Sequence, residues 1–200
     1  MRYLALIISF LSHPIWFPIY GAILYLVAAP LHVPVEEMKY TWGLLVTASV
    51  VVPTLVYIVL YLLNWLNSPF LVAVEKQKWL LYGYIGVLLV IAFTIVTIER
   101  YPILYFYMMN LAVGCFLVAF MHFFRFAGSL SVMLMGGITG FSVFLSLFYH
   151  IDLAYVTIFC VFMSGWVASA SVYLAQRALW VLLLSWVAGF LPQLVLLRMI

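Results

Sequence analysis

Charged residues are what this 200-residue sequence has least of: 6% of its side chains are charged, whereas 70% are hydrophobic. A water-soluble domain carries about 25% charged residues, so this chain has too little polar surface to face water on all sides. The composition therefore excludes a soluble domain hidden within the chain. It predicts one domain over residues 1–200, with lipid as the solvent for most side chains.

Reactive side chains are equally scarce. The net charge of +3 is too small to favour a nucleic-acid partner. The two cysteines, Cys115 and Cys160, lie inside apolar runs and form no metal or redox motif. No two of the four histidines have the i,i+4 spacing of a helical metal site. The sequence therefore predicts no metal and no cofactor.

Long apolar runs are what the sequence does contain. About 20 apolar residues in a helix cross the ~30 Å hydrocarbon core of a bilayer, and charges, prolines and polar clusters separate seven such runs. The predicted spans are residues 14–29, 40–63, 79–98, 102–124, 129–149, 153–174 and 178–197. Each must be helical, because a lipid-exposed backbone has to satisfy its own hydrogen bonds. We therefore expect an all-α, polytopic transmembrane bundle of about seven spans.

Two local features modify the first two spans. A short apolar lead-in, residues 4–11, precedes the first predicted span, and we expect it to lie in the membrane interface. Pro53 lies in the middle of the second span, where it predicts a kink because proline lacks the backbone N–H that a helix needs.

Seven spans place the two termini on opposite faces of the membrane. We call side one the face with the N-terminus and the loops after the second, fourth and sixth spans, and side two the other face. The basic residues of side one are Arg2, Lys76, Lys78, Arg125 and Arg177, and those of side two are Lys39, Arg100 and Arg198. The cytoplasmic loops of membrane proteins carry an excess of basic residues. For an inner-membrane protein, this bias predicts a cytoplasmic N-terminus and an external C-terminus.

Small residues recur at the spacing of close helix packing. Gly136 and Gly140 form a GxxxG motif in the fifth span, and Gly165 and Ser169 repeat the small-xxx-small spacing in the sixth. Such faces let helix backbones approach closely within a membrane. We expect the fifth and sixth spans to form a tightly packed hairpin.

Basic and hydroxyl side chains gather at the membrane boundary of side one. The candidate phosphate- or headgroup-binding residues are Lys76, Lys78, Arg125, Ser129, Ser131, Ser171 and Arg177. Arginine offers a phosphate a fork of donors, lysine a point charge, and both bind lipid headgroups at this depth. The plainer alternative is a set of positively charged loops with ordinary helix caps.

The order of segments resembles a known family over residues 73–195. The lines of resemblance are VEKQKW before the third span, SLSVMLMGGITG entering the fifth, SGWVASASVYLAQR leaving the sixth, the tail AGFLPQLVL, and SHPIWFPIYG near the start. The chain resembles the membrane branch of the type-2 phosphatidic acid phosphatase superfamily, and in particular its short Bacteroidetes-type members.

The resemblance implies a phosphate site built from three motifs, but this sequence differs at the decisive positions. Active members use a histidine to protonate the leaving group, an arginine, and a histidine nucleophile six residues later. Ser131, Ser171 and Arg177 stand where these three residues are expected. An arginine stays protonated and cannot accept a phosphoryl group at neutral pH. The resemblance therefore implies a pseudoenzyme without catalytic residues that keeps its phosphate- or headgroup-binding site.

Three functions follow as hypotheses. The leading one is a non-catalytic protein that binds lipid or acts as a structural subunit of a larger membrane complex, with membrane lipids and other membrane proteins as partners. The first alternative is an active lipid phosphate hydrolase, which needs His122 or His150 at the site. The second is a small-molecule transporter or channel, for which Asn110 and Thr94 are the polar groups in the middle of spans.

Overall fold

The structure, a computed structural model, describes residues 2–29, 35–64, 74–124, 126, 128–175 and 177–195; side chains are described for residues 7–29, 36–64, 79–124, 126, 128–174 and 177–195. Its helices are α1 (Arg2–Leu11), α2 (Phe17–Ala28), α3 (Val35–Val46), α4 (Val52–Leu62), α5 (Val74–Val90), α6 (Pro102–Phe123), α7 (Leu130–Tyr149), α8 (Ala154–Ala175) and α9 (Leu179–Val195). These residues form no β-strand, so an all-α fold is confirmed for the described part of the chain.

Several helical segments are long and apolar enough to cross a membrane. They are Ile7–Ala28, Glu36–Leu62, Pro102–Phe123, Leu130–Tyr149 and Ala154–Leu174. Two shorter apolar helices, Trp79–Ile95 and Leu179–Val195, accompany them. The structure therefore contains five candidate spans over the described residues, as in a multi-pass membrane protein.

The first candidate span begins earlier than the sequence predicted. A single 3₁₀ turn, Pro14–Trp16, joins α1 to α2, and the apolar helical segment starts at Ile7. The lead-in that we expected in the interface thus forms part of this segment. Pro14 can begin the 3₁₀ turn because a first-turn residue needs no backbone N–H donor.

A π-helical turn lies where Pro53 predicted a kink. Residues Thr47–Val51 form this wide turn between α3 and α4, and the N–H of Val52 bonds to the carbonyl of Thr47, five residues back. Pro53 has no N–H for the carbonyl four residues before it, and a π turn is one way in which a helix absorbs such a defect.

Helix α7 lies at the centre of the bundle. In its apolar window 72% of the residues are buried, compared with 11% for Glu36–Leu62. Helices α2, α6, α8 and α9 pack around α7. In the core, the rings of Tyr107 and Phe141 lie 4.3 Å apart between α6 and α7.

The closest helix pair is α7 with α9. A Cβ atom added to Gly189 would lie 1.8 Å from the carbonyl oxygen of Met133, and one added to Gly136 would lie 2.1 Å from that of Trp186. A Cβ at Gly140 would lie 2.7 Å from the carbonyl oxygen of Phe190. The two backbones therefore touch where no side chain fits between them.

This packing corrects the prediction of a tight hairpin between the fifth and sixth spans. The glycine face of α7 packs on α9, because Gly189 leaves the matching gap there. A Cβ at Gly165 on α8 would meet nothing within 4 Å. Ser169 is exposed, and its hydroxyl donates to the carbonyl of Gly165 in its own helix at 2.8 Å.

Helices α7 and α8 are instead joined by polar contacts. The hydroxyls of Ser142 and Thr157 lie 3.0 Å apart across this pair. The connecting turn contains His150 in the left-handed region, with φ of 53°. Ser146 closes the turn by donating a hydrogen bond of 2.7 Å to the carbonyl of Ile151.

Candidate functional site

A polar pocket of about 150 Å³ lies where the ends of several helices meet. Its lining residues are Ser9, His13, Pro14, Tyr57, Leu80, Leu81, Val118, His122, Gly128, Ser129, Leu130, Ser131 and Arg177. Among the described lining residues there are one guanidinium, two imidazoles and several hydroxyls, and no carboxylate. A cavity of this composition favours an anion over a cation.

The alternating direction of successive helices brings these residues together. His122 lies in the last turn of α6, Ser129 and Ser131 lie at the start of α7, and Arg177 lies between α8 and α9. His13 comes from the link between α1 and α2. All of these positions are at the end of the bundle that the sequence assigned to side one.

Arg177 supplies a fixed positive charge. Its side chain is half-buried, and Nη1 donates a hydrogen bond to the carbonyl oxygen of Gly128. Burial lowers the pKa of the Arg177 guanidinium from its usual value. An arginine nevertheless remains protonated at neutral pH, so the pocket contains a partly desolvated cation whose attraction for an anion is screened less than at an open surface.

The start of α7 forms a second wall of the pocket. Ser129 is the N-cap residue of α7 and is buried. The N–H groups of a first helical turn have no partner within the helix and give this end a partial positive charge. Together with the Ser131 side chain, which lines the same cavity, this end adds donors beside Arg177.

Two histidines present buried nitrogen atoms without hydrogen-bond partners among the described residues. His122 Nδ1 lies 2.8 Å from the carbonyl oxygen of Val118, and a carbonyl can only accept, so Nδ1 carries the proton. Nε2 of His122 is buried without a partner, and in a neutral imidazole it is the nitrogen that holds the lone pair. Nδ1 of His13 is likewise buried without a partner, and its ring packs edge-on against Tyr57 at 5.8 Å.

The structure brings together three of the predicted site residues: Ser129, Ser131 and Arg177. Lys76 and Lys78 lie on α5, but their side chains are outside the described residues, as is Arg125 altogether. Ser171 does not line the pocket. Its hydroxyl donates to the carbonyl of Val167 in its own helix at 2.9 Å, which is the usual way for a serine to satisfy itself in an apolar helix.

The sequence indicated His13 and His122 only as interfacial histidines near span ends, with His122 also considered for the hydrolase alternative, and it did not indicate Tyr57. The signal that could have found the histidines is their position along the spans. His13 lies near the start of the first candidate span, and His122 lies at the end of Pro102–Phe123. Counting span directions places both on side one, with Arg177. His150 follows the last residue of α7, about 30 Å along that helix from Ser129.

The mid-span polar residues lie elsewhere. Thr94 is exposed, and its hydroxyl donates to the carbonyl of Val90 at 2.6 Å. Neither Thr94 nor Asn110 is among the residues that line the polar pocket. The structure therefore does not add these two residues to the site around Arg177.

No protein-family model matches this chain, and neither a curated protein nor a solved structure matches it.

Proposed function

We propose that this chain is an inner-membrane protein that binds the phosphate group of a lipid in the pocket around Arg177, as a non-catalytic relative of the type-2 phosphatidic acid phosphatases. The observation that carries the proposal is the half-buried guanidinium of Arg177 beside Ser131 and the start of α7. Arginine forks, hydroxyls and helix N-termini are all groups that bind phosphate oxygens.

The size and depth of the pocket support a headgroup as the ligand. Its volume of about 150 Å³ is below the ~300–1,000 Å³ of pockets that enclose drug-sized molecules. The lining residues come from the ends of apolar helices, where lipid headgroups meet the protein. A phosphate group can therefore enter the pocket while the rest of the lipid stays in the bilayer.

The proposal includes seven spans, with the pocket on the cytoplasmic side. Trp79–Ile95 and Leu179–Val195 each have 17 residues, at the lower limit for crossing a bilayer. The excess of basic residues on side one supports a cytoplasmic N-terminus. Because so little of the chain lies outside apolar helices, we further propose that it serves as a subunit beside other membrane proteins.

Lipid binding in nanodiscs of phosphatidylcholine tests the proposal. Arg177→Gln removes the charge while keeping much of the side-chain volume. A hydrogen bond to a charged group contributes roughly 1.5–3 kcal/mol, so we expect the affinity for phosphatidic acid to fall by about tenfold or more, measured by native mass spectrometry.

Arg100→Gln is the matched control. Arg100 precedes α6 at the opposite end from His122, is 62% exposed, and pairs with Glu37 at 3.6 Å. Its replacement should leave binding unchanged. If both variants bind phosphatidic acid as tightly as the wild type, the pocket around Arg177 is not the binding site.

His122 supports a second candidate function, hydrolysis of the bound lipid phosphate. Its Nδ1 is oriented by the carbonyl of Val118, and its buried Nε2 has no partner among the described residues, so Nε2 would be the nucleophile in the neutral ring. Nε2 would attack phosphorus, the lipid alcohol would leave with a proton from water, and a second water would release phosphate from the phosphohistidine. Arg177 would offset the charge of the transferring phosphoryl group.

Phosphate release from phosphatidic acid distinguishes the two functions. The hydrolase predicts turnover that His122→Asn abolishes and that His150→Asn leaves unchanged, because His150 lies at the far end of α7. A phosphohistidine labelled from phosphatidic acid should also be trapped by an alkaline denaturing quench, in which its P–N bond is stable, only when His122 is present. Binding without turnover in the wild type would leave the non-catalytic function standing and exclude the hydrolase.

A further inference from the structure

An apolar groove lies beside the polar pocket, between α2 and α8 and over α7. Its volume is about 480 Å³. Met135, Ile138 and Cys160 form a buried floor, whereas Val27 and Phe159 on the rim are 72% and 62% exposed. The groove therefore opens sideways, towards the surface that faces lipid in a membrane.

The groove continues the face of α7 that begins in the pocket. Ser131 lines the pocket, and Met135 and Ile138 line the groove. Positions four and seven residues after Ser131 lie on the same side of a helix. At 1.5 Å per residue, Met135 and Ile138 lie about 6 and 10 Å deeper than Ser131.

The link between α1 and α2 also borders both cavities. His13 lines the pocket, and the preceding residue, Ser12, lines the groove. The polar and apolar cavities are thus neighbours on two separate elements, with the polar one at the end of the bundle and the apolar one deeper.

The groove extends from below the pocket towards the other end of the bundle. On α8 its lining residues run from Val167 back to Val156, which is about 16 Å along a helix. The hydrocarbon core of a bilayer is ~30 Å thick, so the α8 lining covers about half of it. Because α8 begins at the end of the bundle away from the pocket, the groove runs from Met135, below the pocket, to Val156 near that far end.

The width of the groove determines which kind of molecule fits in it. A volume of about 480 Å³ over a length of about 16 Å gives a mean cross-section of about 30 Å². A helix of a partner protein is about 10 Å across, which is more than twice that area. An extended hydrocarbon chain is the narrower occupant that fits, and it can enter sideways from the bilayer.

We propose that the groove holds one hydrocarbon chain of the lipid whose phosphate group binds near Arg177. This inference rests on the proposed function and adds to it the place of the chain. The ligand then spans two cavities: its phosphate contacts the start of α7, and its chain follows α7 between α2 and α8.

A groove-filling variant tests the inference in phosphatidylcholine nanodiscs. Cys160→Trp places a large ring on the groove floor. Val161→Trp is the matched control, because Val161 is 51% exposed on the same helix and does not line the groove. The two ligands are inorganic phosphate and a long-chain monoalkyl phosphate.

We expect Cys160→Trp to weaken binding of the monoalkyl phosphate by about tenfold, a loss of ~1.4 kcal/mol, and to leave binding of inorganic phosphate unchanged. Val161→Trp should change neither affinity. Because all variants are compared in the same bilayer, partition of the ligand into lipid is common to all of them.

The two failures are distinguishable. If Arg177→Gln leaves the binding of both ligands unchanged, the proposed function fails. If Arg177→Gln weakens both ligands but Cys160→Trp binds the monoalkyl phosphate like the wild type, the pocket stands and the groove inference is overturned.

Photocrosslinking keeps the inference testable if Cys160→Trp does not fold. A monoalkyl phosphate with a diazirine near the end of its chain is irradiated on the wild-type protein, and labelled peptides are mapped by mass spectrometry. Labels on residues 23–27 and 156–163, displaced by excess unlabelled ligand, support the groove. Displaceable labels found only on other helices overturn it.

Discussion

The backbone N–H of Ser129 donates a hydrogen bond of 3.0 Å to the hydroxyl of Ser185. The Ser185 hydroxyl in turn donates to the carbonyl of Val181 at 2.8 Å. The first of these bonds ties the start of α7 to α9, at the wall of the polar pocket. A residue that does not line the pocket therefore holds one of its walls in place.

We expect Ser185→Ala to destabilise the protein and to weaken phosphate binding. The buried N–H of Ser129 would lose its acceptor, which costs about 1–3 kcal/mol. The free energy of unfolding in detergent and the affinity for phosphatidic acid measure the two effects. Ser169→Ala is the control, because that exposed hydroxyl bonds only within its own helix, and both quantities should stay at wild-type values.

The close contact of α7 with α9 predicts that substituting two different glycines by alanine will have opposite effects on stability. Gly189→Ala should destabilise the bundle by about 1–3 kcal/mol, because the added methyl group would meet the backbone of Met133 and overpack the contact. Gly165→Ala should be neutral or stabilising by up to about 1 kcal/mol, because it adds a better helix former in open space. Thermal unfolding in the same detergent compares them, and an equal loss in both variants would contradict the packing.

The hydroxyl pair between α7 and α8 predicts a small energetic coupling. Ser142 and Thr157 lie 3.0 Å apart, and such pairs within membrane proteins contribute about 0.6 kcal/mol on average. A double-mutant cycle of Ser142→Ala and Thr157→Val should give a coupling free energy of about that size. A coupling free energy of zero would show that the two hydroxyls do not interact in the bilayer.

Replacing Gln193 in the core should have an unusually small effect on stability. Its Nε2 donates a long hydrogen bond of 3.3 Å to the carbonyl of Tyr107, and its Oε1 is buried without a partner among the described residues. Gln193→Met removes both, so the lost bond is offset by the loss of an unsatisfied oxygen. We expect a change in unfolding free energy within about 1 kcal/mol. A loss of more than about 3 kcal/mol would mean that Oε1 has a partner, such as a buried water.

The bounds of the helices could be predicted closely from the sequence, because each described break coincides with proline, charge or a polar cluster. The predicted spans 102–124 and 129–149 compare with α6, Pro102–Phe123, and α7, Leu130–Tyr149. The first predicted span, 14–29, starts too late, because Pro14 does not end the preceding helix. A 3₁₀ turn, Pro14–Trp16, connects α1 to α2.

Helix pairing could not be predicted in the same way. These helices are apolar all round, so no periodic contrast marks which face meets protein and which meets lipid. The GxxxG motif correctly marked a tight face at Gly136 and Gly140 but not its partner. The partner depended on Gly189, which stands four residues after Ser185 in α9, a small-residue spacing that was not among the predicted packing motifs.

The site was predictable where charge stands alone in an apolar chain. Arg177 is such a charge, and Ser129 and Ser131 are hydroxyl residues predicted at the same membrane boundary; the three residues share one cavity. His13 and Tyr57 were not among the predicted site residues, because they come from spans remote in sequence and only the three-dimensional bundle places them beside Arg177.

The glycine contact between α7 and α9 has a consequence for how the protein responds to membrane thickness. Helices adjust to a thinner or thicker bilayer mainly by tilting. Because the backbones of α7 and α9 interlock at Gly136 and Gly189, these two helices must tilt as one rigid unit. The loosely buried segment Glu36–Leu62 has no such constraint and can follow the bilayer by itself. The start of α7, which forms one wall of the polar pocket, would then stay fixed relative to α9 in membranes of different thickness, whereas Tyr57, which lies on Glu36–Leu62, is not held by this contact.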